Sequence, residues 1–102
     1  MIRSAASKNY LARNKSEGAQ IDGVLCRGAR AMLGLSQTRL SEMTGLSRHL
    51  LNEFENGLRV PREYNVDSIK AALEAAGAMF IEGADGILSV RVIERGAGQN
   101  ND

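Results

Sequence analysis

The segment from Gln37 to Phe54, QTRLSEMTGLSRHLLNEF, leaves this chain the least freedom. Its apolar residues fall into two short helical sets on either side of Gly45: Leu40 and Met43 before it, Leu50, Leu51 and Phe54 after it. Ser36 and Ser47 each stand where a side-chain oxygen can cap the helix that follows. Asn56-Gly57 stops the second set. Small Ser41 sits beside Leu40, where two helices that cross closely need little bulk. Two helices of this kind, joined by a turn of about three or four residues, lock at a steep angle through apolar residues at fixed offsets. Leu40, Leu51 and Phe54 meet that requirement, so the spacing predicts a helix-turn-helix.

The flanks read as further short elements. Ile21, Leu25, Ala29 and Leu33 recur at helical spacing, with Cys26 and Met32 beside them, and Gly34 ends the run. After a loop holding Arg59, Pro61 and Arg62, a helix is predicted from Val66 to Ala76. It is capped by Asn65, turns Ile69, Ala72, Leu73 and Ala76 inward, and is ended by Gly77. The period then changes. Met79-Phe80-Ile81 and the alternating Leu88, Val90 and Val92 flank Gly83-Ala84-Asp85-Gly86, which predicts one β-hairpin. A two-stranded hairpin is marginal in water, so this one requires a partner surface. The expected division is a flexible basic arm over 1–18, a helical domain over 19–77, a hairpin over 78–95 and a disordered tail over 96–102.

Composition bears mainly on what the chain does not do. Aromatic residues are 4% and Trp is absent, so the core must be aliphatic. No run of about 18 apolar residues predicts a membrane span, and the N-terminus lacks the apolar region of a signal peptide. One cysteine, Cys26, and one histidine, His49, are too few for an internal disulfide or a zinc site. A reduced, cytoplasmic setting is expected, with no metal and no cofactor. No glycine-rich phosphate loop or placed nucleophile points to an enzyme. Net charge is only +1, but its distribution is uneven. Residues 27–62 carry six arginines against Glu42, Glu53 and Glu55, whereas residues 63–102 carry three bases against seven acids. Arginine suits bidentate phosphate and guanine contacts.

From about Leu25 to Ala76 the chain resembles the Xre/Cro-type regulators of bacteria and phages. The resemblance rests on Ala29-Arg30, Leu33-Gly34-Leu35-Ser36-Gln37, Leu40, Gly45-Leu46-Ser47, Leu51, Phe54-Glu55-Asn56-Gly57 and Pro61. It implies a mainly α, lambda-repressor-like bundle of four or five helices, here with a C-terminal β-hairpin, and a recognition helix starting at Ser47 in the major groove of double-stranded DNA. Members commonly dimerise on two half-sites about 34 Å apart. By the same resemblance Arg48, His49, Asn52 and Glu53 face base edges, while Gln37, Ser47, Arg59 and Arg62 contact phosphate. Arg30 and Glu55 match a structural salt bridge between the first and third helices. Ser41 and Leu50 depart from the family's usual alanine and polar residue, and Glu53 brings negative charge to the DNA face.

These readings combine into a sequence-specific regulator, a repressor on a palindromic operator, acting as a homodimer. Leu88, Val90 and Val92 on the hairpin are its expected dimerisation residues. The competing expectation is an antitoxin or anti-activator whose main partner is a protein, with the departure at Leu50 and the acidic C-terminal third in its favour. Cys26 is read as a core residue.

Overall fold

Asp22 opens the first helix. Its carboxylate accepts from the Leu25 backbone N–H at 2.9 Å, satisfying a donor that would otherwise be orphaned. The computed structural model describes residues 20–92, so the arm over 1–18 and the tail over 96–102 lie outside the described residues. Within them the chain forms α1 (Gly23–Leu33), α2 (Gln37–Thr44), α3 (Arg48–Glu55) and α4 (Glu63–Ala75), then β1 (Ala78–Glu82) and β2 (Leu88–Val92). The fold is mainly α, with a C-terminal antiparallel hairpin.

Ser36 and Ser47 cap α2 and α3 by accepting from the Arg39 and Leu50 backbone N–H groups. Gly34 and Gly45 close α1 and α2 in the left-handed region, at φ of 68° and 78°, where a Cβ would be strained. Two expectations need correction. The fourth helix begins at Glu63, and Asn65 lies inside its first turn instead of capping it. Arg62 is the extended residue before the helix, and its carbonyl accepts from the Asn65 and Val66 N–H groups. Pro61 is buried just before Arg62, and Glu63 in the first turn complements the helix dipole. Met32 is exposed, because the buried stripe of α1 runs through Cys26 and Ala29 and leaves Met32 to one side.

Leu40, Leu51, Ile69, Leu73 and Cys26 are the largest fully buried side chains. They draw α1 to α4 around one core. The hairpin is seated on the same core, β2 beside α1 and β1 beside α4, with Phe80, Leu88 and Val90 packed against it. That is the partner surface a lone hairpin lacks. The register pairs Ala78 with Val92, Phe80 with Val90 and Glu82 with Leu88. Gly86, at φ 83°, closes a three-residue loop, with Gly86 N–H donating to Gly83 and Gly83 N–H to Ile87.

Candidate nucleic-acid interface

The turn between α2 and α3 is tied by side chains. Ser41 Oγ donates to the Leu46 carbonyl at 2.5 Å. Thr44 Oγ1 donates to the Leu40 carbonyl and accepts from the Leu46 N–H. Ser41 is therefore more than a small residue tolerated at a crossing. Its hydroxyl satisfies a turn carbonyl that alanine would leave unpaired. With Leu40 and Leu51 fully buried beneath the turn, α2 and α3 pack as one unit.

The far end of α3 is held by Glu55, whose side chain is wholly buried. Arg30 grips it in a fork, Nε to Oε2 and Nη2 to Oε1, both at 2.7 Å. Gln37 Nε2 donates to Oε1 at 3.2 Å and Cys26 Sγ to Oε2 at 3.3 Å. Arg30 Nη1 also donates to the Leu35 carbonyl. One carboxylate thus links α1, α2 and α3. Burial by itself pushes the Glu55 carboxyl up, but the donors from Arg30, Gln37 and Cys26, with the charge of Arg30, outweigh it and hold the group below the ordinary carboxylate range. The hydrogen bond to Glu55 raises the Arg30 guanidinium further against the opposing effect of burial. Burial and the Glu55 charge push the Cys26 thiol far upward, so it stays protonated and unreactive.

With Leu51, Phe54 and Glu55 inward, α3 turns a polar surface to solvent. Arg48, His49 and Asn52 are exposed on it, and Leu50 is half-buried at its side. Glu53 is not free: it meets His49 Nε2 at 3.3 Å and Arg59 Nη1 at 3.4 Å. Its charge is partly compensated before any DNA arrives. Ser47 Oγ accepts from Leu50 N–H at the start of α3, which leaves its hydroxyl hydrogen available. Gln37 is half-buried and spends its amide on Glu55, so within the protein it braces α3. Arg59 and Arg62 are exposed in and after the loop that follows α3. Leu88, Val90 and Val92 lie apart from this surface, on the hairpin.

Sequence reasoning did not single out Arg27 or Asn56 as functional partners. Arg27 Nη2 donates to Asn56 Oδ1 at 2.6 Å, and Asn56 Nδ2 reaches both Asn52 O at 2.9 Å and Asn52 Oδ1 at 3.2 Å. The four-residue spacing of Asn52 and Asn56 on one helix was the local signal for half of this chain. Arg27 is 29 residues away, and nothing local marks it.

Two short helices joined at Gly45, a capped second helix held rigid from behind, and a polar outer face define a helix-turn-helix domain. Residues 27–75 match the family model described as helix-turn-helix, of the Xre and lambda-repressor type, a family of DNA-binding regulators. No curated protein matches the chain. Among the described residues no helix is long and apolar enough to cross a membrane, and no group of three or more histidine, cysteine or acidic side chains is gathered to hold a metal.

Proposed function

We propose that the protein is a sequence-specific regulator of transcription in the cytoplasm, repressing from a palindromic operator as a homodimer. The observation that carries this reading is the division of α3: its inner face and C-terminal end are immobilised, and Arg48, His49 and Asn52 stand exposed on its outer face. Arg48 occupies the first helical position, where a guanidinium reaches a base edge, and guanine is its usual target. Ser47, Arg59 and Arg62 fix the register on phosphates, with Gln37 bracing the helix from behind. Glu53, tied to His49 and Arg59, filters targets by accepting only from a base amino group.

Selection of sites from a random duplex pool at a stated salt concentration tests the reading, since the phosphate contribution depends on salt. The Arg48→Ala variant is expected to lose roughly 1–3 kcal/mol at the selected site and to relax its base preference. Equal loss on selected and random DNA would remove Arg48 from base reading.

The dimer is assigned to the outer edge of β2. Gly83 N–H bonds Ile87, so the alternation of the ladder turns the backbone groups of Leu88, Val90 and Val92 away from β1. The side chains of Leu88 and Val90 meanwhile pack against the protein's own core. A second copy would add its β2 across a two-fold axis. The amide hydrogens of Leu88, Val90 and Val92 are then expected to exchange more slowly as protein concentration rises. Unchanged exchange in a sample that sediments as a dimer would place the interface elsewhere.

A second reading, a module whose main partner is a protein, draws support from Leu58, Val60 and Tyr64. All three are exposed apolar residues flanking Arg59 and Arg62. Co-purification of an unrelated chain that DNA does not displace would favour it.

A further inference from the structure

We propose that Arg27 sets which bases Asn52 reads, by fixing through Asn56 the direction in which the Asn52 amide points. The proposal rests on the reading of α3 as the base-reading helix and makes Arg27 a positioning residue for it.

A guanidinium has only donors. Arg27 Nη2 donates to Asn56 Oδ1 at 2.6 Å, so that oxygen must face α1. The contact is charge-assisted and hence among the stronger hydrogen bonds. Asn56 Nδ2 is thereby turned back along α3, where it donates to Asn52 O at 2.9 Å and Asn52 Oδ1 at 3.2 Å. Reversing the Asn56 amide would set its nitrogen against the guanidinium and its oxygen against the Asn52 carbonyl. Both contacts would repel. The constraint passes on to Asn52, whose Oδ1 is committed to Asn56. Among the described residues Asn52 Nδ2 donates to nothing, and the side chain is exposed. Asn52 therefore offers the groove a donor. A donor suits guanine through O6 and N7, thymine through O4 and adenine through N7, and disfavours cytosine, whose N4 only donates. Without Arg27 one of the two contacts that set the direction of the Asn56 amide is gone, and only the Asn52 backbone carbonyl still opposes reversal. The reversed pair, in which the Asn52 oxygen accepts from adenine N6 or cytosine N4, then costs less.

The full chain and its Arg27→Met, Arg27→Lys and Asn52→Asp variants are each used to select from a randomised duplex pool at one salt concentration. Asn52→Asp, an isosteric change that leaves only acceptors, marks the base that Asn52 faces. At that position the unsubstituted chain is expected to select against cytosine. Arg27→Met is expected to reduce this preference about fivefold, the worth of one hydrogen bond, and to leave the other positions alone. Arg27→Lys, which still only donates, should restore it. If Arg27→Met leaves the marked preference intact, or weakens every position alike, the positioning role is overturned while base reading by α3 stands. If Asn52→Asp changes no position, Asn52 reads no base, and the proposal falls together with that part of the functional reading.

Discussion

Arg30→Met is expected to destabilise the folded chain by about 3–5 kcal/mol at neutral pH and to reverse its response to acid. The Glu55 side chain is wholly buried, and Arg30 supplies two of its four donors at 2.7 Å. Removing Arg30 leaves a buried carboxylate with Gln37 and Cys26 as its donors and the exposed Arg27 guanidinium 3.9 Å away, and a buried charge so poorly compensated is far costlier than a missing surface pair. The pH dependence follows from the direction of the Glu55 shift. In the unsubstituted chain the folded-state pKa lies below the unfolded value of about 4.3. The stabilisation from Glu55 is thus present above that value and is lost as pH falls through the folded pKa. In the variant the strongest opposing donor is gone while burial remains, so the folded-state pKa is expected to rise above the unfolded one. The contribution of Glu55 is then present at low pH and is lost as pH rises through the new folded pKa. Urea midpoints measured between about pH 4 and 7 should rise with pH for the parent and fall for Arg30→Met over the carboxylate range. Parallel profiles would mean that Arg30 does not hold the Glu55 charge. Replacing both partners, Arg30→Met with Glu55→Met, should recover much of the loss, because it is the orphaned charge that costs most.

The contrast between Ser47 and Asn65 shows what this sequence makes legible. Ser36, Gly34, Gly45 and Ser47 act within one turn of their own positions, so the limits of α2 and α3 can be read from adjacent residues. Asn65 has equal intrinsic fitness as a cap, yet it sits inside α4 because the chain leaving buried Pro61 enters the helix two residues earlier. Capping preference is worth about 1 kcal/mol, and tertiary placement overrides it. The hairpin was legible for the same reason as the turn helices: Leu88, Val90 and Val92 alternate with Ser89 and Arg91 along a single strand. Which surface covers it was not, since that depends on α1 and α4 arriving from elsewhere in the chain. The exposed face of α3 could be read as the complement of Leu51 and Phe54. The links that orient it could not. Arg27 to Asn56 and Cys26 to Glu55 each join residues 29 apart, and no periodicity encodes such a pair. Asp22 is a plainer omission, three residues before Leu25 and an ordinary N-cap.

Gly23 is the least conspicuous of these omissions, and it carries the second large prediction. It is buried at the first position of α1, where a glycine normally signals little. A Cβ built there would lie 1.9 Å from the Phe54 carbonyl oxygen and 2.8 Å from Glu55 Cα. Both are backbone atoms of α3, so no side-chain rotation relieves the contact. Gly23→Ala must push α1 off the end of α3, and it does so beside Cys26 and Arg30, which reach Glu55 from the same helix. The expected cost is about 1–3 kcal/mol or somewhat more, as for other overpacked sites. Gly28 provides the internal control. It lies in the middle of the same helix, and a Cβ there meets nothing within 4 Å. Gly28→Ala should therefore stabilise the chain by about 0.5–1 kcal/mol, through the lower backbone entropy of its unfolded state. The same substitution, five residues apart in one helix, is expected to have opposite signs by urea denaturation. Because the displaced atoms belong to α3, Gly23→Ala should also weaken binding to a selected site in the fraction that remains folded. Gly28→Ala should leave that binding unchanged. Stabilisation by both substitutions would refute the close approach of α1 to α3, and with it the view that the back of α3 is held rigid so that its front can read.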